Sequence, residues 1–134
     1  MAIITNDTSD QLSTHELSLL ERVASLEDVI RRGGDEAQEL RRCPSFVIDA
    51  LVDAGLFRFT IPRKLGGEDA SVGQTIEVLE AISAIDASVG WNVMLGSEIN
   101  AMAAGGMAKE LAEEVYLADP GVIMCGGGGP GTCL

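Results

Sequence analysis

The chain ends in MCGGGGPGTCL, residues 124–134, and these are the first residues whose types and spacing suggest chemistry. Gly126, Gly128 and Gly131 satisfy the G-x-G-x-x-G spacing that lets backbone amides approach a pyrophosphate. Such a cradle works because its turn leads into a helix whose N-terminal N–H groups meet the phosphate. Only Thr132, Cys133 and Leu134 follow, and in the P-loop spacing from Gly126 to Gly131 the required lysine is replaced by Thr132. Consecutive glycines meet either pattern cheaply, so the stretch does not define a self-contained nucleotide site.

Nucleophilic and acid–base chemistry find equally little support. His15 is the single histidine and sits at a helix start, so any Ser-His-Asp or Cys-His arrangement would rest on it alone. Glu77 and Glu80, like Asp49 and Asp53, have helical spacing that suits solvated faces and bring no partner that would set one carboxyl apart from another. Cys43, Cys125 and Cys133 are odd in number and form no C-x-x-C, which points away from a disulfide framework or a zinc site and towards a reducing cytoplasm. Trp91, the only tryptophan, lies beside Gly90 in the most apolar stretch, where its ring either packs in a core or lines a cavity.

The bulk composition sets the class. A chain of 134 residues suits one domain, in which roughly two thirds of the unfolded surface is buried. Apolar residues make up 46% but aromatic ones only 4%, the mixture of packed helices. Nine basic against 21 acidic residues give a net charge of −12, which repels a phosphate backbone and excludes nucleic acid as the expected partner. No apolar run approaches the roughly 18–20 residues of a membrane span, and the polar first residues lack the pattern of a signal peptide.

These residues must be positioned by helices. Residues 1–14 read as a flexible arm, and Ser13 with Glu16 has capping-box spacing ahead of Leu17, Leu20, Val23 and Ile30. Gly33 and Gly34 should kink or break this first helix, which ends near Arg42. A second runs through CPSFVIDALVDAG, with Pro44 in its first turn and Gly55 stopping it in a left-handed conformation. The connector LFRFTIPRKLGGEDAS turns Phe57 and Ile61 inward. A third helix, about Ser71 to Ile85, presents Ile76, Leu79, Ile82 and Ile85 on one side. Asp86 caps the fourth, ASVGWNVMLGSEINAMAAG, apolar on nearly every face and so expected to be the most buried. A fifth, with Met107, Leu111 and Val115 inward, ends at Pro120, and GVIMC then reads as a single strand. The expected fold is all-α: a bundle of about five helices with one C-terminal strand.

RRCPSFVIDALVDAGLFRFTIPRKLGGEDAS followed by EVLEAISAIDASVGW resembles the N-terminal helical domain of the acyl-CoA dehydrogenase superfamily, especially its branch of flavin-dependent monooxygenases. The resemblance covers about residues 16–131. It is carried by the helix ending AGLF, the P-x-x-x-GG turn at Pro62 to Gly67, and the opening from Asp86 to Trp91. It implies residues 15–119 as the helical domain and 120–134 as the start of a middle β-barrel whose remainder, with a C-terminal four-helix bundle, is missing. The chain then reads as a truncated flavoprotein that is not catalytic by itself, with FAD or FMN as the cofactor of the intact architecture.

The resemblance further implies Cys125, Gly128, Gly129 and Pro130 near the flavin, and Ser88, Trp91 and Leu95 on the wall of a substrate cavity. The substrate is an acyl-CoA thioester or an aromatic compound, and the protein a homo-oligomer or the partner of another subunit. The loop departs from the family pattern in one respect, since Gly131 directly follows Pro130 where one residue usually intervenes. The alternative is a non-catalytic helical module that binds another subunit through faces its missing neighbours would cover.

Overall fold

The computed structural model describes residues 17–126. Six α-helices occur among them: α1 (Leu19–Ser25), α2 (Glu27–Leu40), α3 (Ser45–Asp53), α4 (Val72–Ile85), α5 (Ala87–Gly106) and α6 (Lys109–Ala118). The all-α class read from the sequence therefore holds. None of the described helices is long and apolar enough to cross a membrane.

Local signals explain most of the boundaries. Ser18 and Glu21 form the capping box that starts α1, and Ser71 with Gln74 forms another at α4. The expected box at Ser13 and Glu16 lies outside the described residues. Gly55 ends the α3 region at φ 73°, and the Leu56 amide reaches back to the Leu51 carbonyl at 2.9 Å, as the sequence suggested.

The interruption expected at Gly33 and Gly34 falls elsewhere. Both glycines lie inside a continuous α2, and the chain bends instead between α1 and α2 at Leu26. Gly33 serves close approach: a β-carbon there would run into Val47 Cγ2 of α3. Tertiary contact overrides the weak helix propensity.

The main core joins α1 to α5 through Val23, Ile30, Val47, Leu51, Val78, Ile82, Val89 and Val93, filled from the connector by Leu56, Phe57 and Phe59. A smaller cluster seats Ala112 and Tyr116 of α6 on Ile61 and Leu65, the latter in a single 3-10 turn at Arg63–Leu65. Two inward stripes differ from expectation. Ile76 of α4 and Leu111 of α6 are exposed, and the buried positions are Val78 with Ile82 and Ala112 with Tyr116. Apolar residues stand on more than one side of both helices, so the neighbouring elements choose the buried face.

Two arginines tie the connector down. The Arg22 guanidinium, 4% exposed, pairs with Glu68 and donates to the carbonyls of Leu17 and Ala54. Arg58 reaches across to α6, donating to the carbonyls of Leu65 at 2.7 Å, Tyr116 at 2.9 Å, Pro120 at 3.0 Å and Asp119 at 3.2 Å. It thereby supplies donors to carbonyls that the end of α6 leaves unpaired. Burial lowers the Arg58 pKa from its ordinary value, opposed by the Asp119 carboxylate and Tyr116.

No strand forms among the described residues, so the expected strand at GVIMC is corrected. The described segment contains no second strand to pair with it. Residues 122–126 run instead along α5, where the Val122 carbonyl accepts from the Asn100 side chain and the Met124 amide donates to it.

Candidate functional site

The site is organised by α5. Asp86 caps it by accepting from the amides of Ser88 at 2.8 Å and Val89 at 3.0 Å. The Ser88 hydroxyl, then burial in opposition, then the two amides act on the Asp86 carboxyl, with the net result that its pKa lies below the ordinary value. Gly90 lets this first turn sit against Ser83 of α4, where any β-carbon would collide with the Ser83 hydroxyl. Further along, a β-carbon on Gly96 would lie 2.6 Å from Phe57 Cδ1 and 3.2 Å from Ile123 Cγ2. The helix is thus pressed on one side by α4 and on another by the connector and the exit segment.

As expected, α5 buries more residues than any other described helix, but along one face only: Val89, Gly90, Val93, Gly96, Ser97 and Asn100. Its opposite face is open, with Trp91 60%, Leu95 38% and Met102 69% exposed. These positions are spaced by four and seven residues, so they share one side of the helix. An all-round apolar helix normally implies all-round burial. Here the described chain covers half of it.

Beside this face is a groove of about 270 Å³ lined by Ile48, Phe57, Asn92, Leu95, Gly96, Ile99 and Ile123 to Gly126. It brings together Leu95 and Cys125, two residues singled out from the sequence and 30 positions apart in it. Ser88 and Trp91 line a neighbouring depression with Ala37, Arg41, Arg42 and Cys43, and Asn92 borders both. Gly128, Gly129 and Pro130 lie outside the described residues. The Cys43 thiol is pushed up by burial and then by the Asp86 carboxylate, which disfavours the nucleophilic thiolate.

The groove's chemistry is apolar. Its lining has no charged side chain, and only Asn92, backbone groups and the Cys125 thiol bring polarity. It suits one face of a planar ring, while a flavin's phosphate would need cations or a run of aimed amides that the described lining lacks. The described residues of this groove therefore offer no cation to a phosphate. Nor do they hold a cluster of His, Cys, Asp and Glu able to bind a metal ion.

Three further residues shape the site: Gly96, whose small size suggests close approach from the sequence alone, and Ile99 and Asn100, which the sequence did not single out. Gly96 makes the floor, and Ile99 closes one side, with its Cδ1 3.2 Å from where a β-carbon on Gly126 would stand. Asn100 is fully buried and holds both Phe57 and the exit segment. Its signal was present as a carboxamide on a mostly apolar helix, a group rarely buried without specific partners.

Among the described residues, then, six helices surround a core, and the apolar helix α5 is covered on one face only, beside a groove. The acyl-CoA dehydrogenase N-terminal domain family matches residues 14–119, and the chain belongs to that family. It is 33% identical over 81 residues to an indole-3-acetate monooxygenase of Acinetobacter baumannii, covering 60% of this chain and 20% of that protein. Over 112 residues it is 31% identical to the oxygenase component of an FADH2-dependent resorcinol hydroxylase from Rhizobium sp., covering 84% and 27%. It is also 27% identical over 104 residues to the oxygenase component of p-hydroxyphenylacetate 3-hydroxylase from Acinetobacter baumannii, covering 78% and 24%. The chain thus spans about a fifth to a quarter of the length of these curated relatives. No solved structure matches it significantly.

Proposed function

We propose that this domain forms the substrate-side wall of an oxygenase that hydroxylates an aromatic ring with reduced flavin, FADH2 or FMNH2, and molecular oxygen. The observation that carries the reading is the groove uniting Leu95 of α5 with Cys125 of the exit segment: an uncharged, ring-sized surface beside an apolar helix face. The relatives' reactions on indolic and phenolic compounds favour aromatic substrates over acyl-CoA thioesters. In this role Leu95 and Trp91 exclude water from the ring, Ser88 lies at the rim, and Cys125 with Gly128, Gly129 and Pro130 approaches the flavin. The flavin supplies the electrons that reduce one atom of oxygen to water while the other enters the ring. This domain's own residues bind and orient the ring.

The test supplies reduced flavin and oxygen to the protein carrying this domain, with a panel of indolic and phenolic acids. A product heavier by one oxygen atom, dependent on reduced flavin, is expected. Oxidation of an acyl-CoA thioester with no aromatic product would overturn the reading.

The exposed stripe of Trp91, Leu95 and Met102 also favours a second reading, a helical module that docks on another subunit or copy. The two separate on the 134-residue chain alone. The module self-associates in sedimentation without flavin, whereas the wall domain stays monomeric and quenches neither FAD nor FMN fluorescence stoichiometrically.

A further inference from the structure

We infer that Asn100 is the positioning residue of the groove: its side chain takes the place of a neighbouring β-strand and fixes residues 122–124 against α5. The inference rests on the groove being the working surface of the domain. Asn100 is 0% exposed. Its Nδ2 donates to the carbonyls of Phe57 at 2.9 Å and Val122 at 3.3 Å, and its Oδ1 accepts from the Met124 amide at 3.0 Å. Donating to residue 122 and accepting from residue 124 is the pattern by which one residue of a parallel strand bridges positions i and i+2 of its neighbour.

The orientation of the carboxamide is dictated by its surroundings, since two carbonyls face the nitrogen and one amide faces the oxygen. The residue's backbone is held as well, its carbonyl accepting from the Tyr116 hydroxyl at 2.9 Å. One side chain thus holds Phe57 on one side of the groove and, through Val122 and Met124, sets Ile123 on the other. An aliphatic residue there would leave three backbone groups to find other partners. The bridge also explains why the segment follows α5 at a fixed register without a sheet.

Amide exchange of the 134-residue chain followed by nuclear magnetic resonance tests this. The Met124 amide has an acceptor, whereas Ile123 and Cys125 have none among the described residues. In the unaltered chain Met124 should exchange at least about tenfold more slowly than both flanking amides after correction for intrinsic rates. Met124 exchanging as fast as its neighbours would overturn the inference, and this arm requires no variant to fold.

In Asn100→Leu, which removes the acceptor of Met124 together with both donors, the loss of protection at Met124 should exceed that at Val93 in the α5 core by about tenfold or more. Equal losses at both would mean that Asn100 merely supports the core. The readout involves no ligand, so its failure is distinct from a failure of flavin or aromatic chemistry.

Discussion

Adjacent glycines in one helix should respond to alanine with opposite signs. Gly33 and Gly34 both lie within α2, where replacing glycine by alanine gains about 0.5–1 kcal/mol of backbone entropy. At Gly34 the new methyl meets only Asp86 Oδ2 at 3.5 Å, an ordinary contact, so Gly34→Ala should realise that gain. At Gly33 the methyl runs into Val47 Cγ2, on a β-branched side chain that is 0% exposed and has no space to turn. Overpacking of this kind costs about 1–3 kcal/mol, which leaves Gly33→Ala less stable by up to about 2.5 kcal/mol. Urea denaturation followed by far-ultraviolet circular dichroism measures the difference, with thermal midpoints moving about 3–5 °C per kcal/mol at this size. Two variants stabilised alike would refute the claim that close approach to α3 explains Gly33. Two destabilised alike would refute the assigned freedom at Gly34.

Arg58→Met should destabilise the domain by about 3 kcal/mol or more in the same assay, since four carbonyls lose a charged donor, and Arg58→Lys should recover only part because an ammonium does not reproduce the fork. Asp86→Ala should cost about 1 kcal/mol near neutral pH through loss of the α5 cap, while Asp86→Asn keeps the cap. Because the folded pKa of Asp86 lies below its unfolded value, its ionic contribution is complete above about pH 4 and is lost as pH falls through the folded pKa. A stability–pH profile of Asp86→Asn should lack that acid-side loss. Trp91, the only tryptophan, should emit as a solvent-exposed indole and be readily quenched by iodide, and its emission should shift to the blue when another domain or subunit covers the α5 face. Trp91→Ser should change stability by less than about 0.5 kcal/mol.

Much of the helical plan was legible in the residues. Gly55 and Asp86 announced a stop and a cap because left-handed backbone and unpaired amides make local demands that few residues meet. Phe57 and Ile61 announced an ordered connector, and both are buried. The candidate site was legible only in part. Leu95 and Cys125 meet in one groove, Ser88 and Trp91 meet in the depression beside it, and nothing local in the chain says that Asn92 joins the two.

The sequence by itself determined the helical class, the acidic surface, several helix limits and the family, because each depends on composition, on short-range backbone chemistry or on an ordered set of local motifs. Tertiary structure alone decided which side of α5 is buried, why α2 runs through two glycines, and how residues 122–126 are held without a strand. Those outcomes turn on space between elements distant in sequence: room for a β-carbon at Gly33 or Gly96, and the reach of Arg58 and Asn100 to backbone groups on other segments. An apolar helix has no periodic signal to choose its own face, so the choice falls to its neighbours.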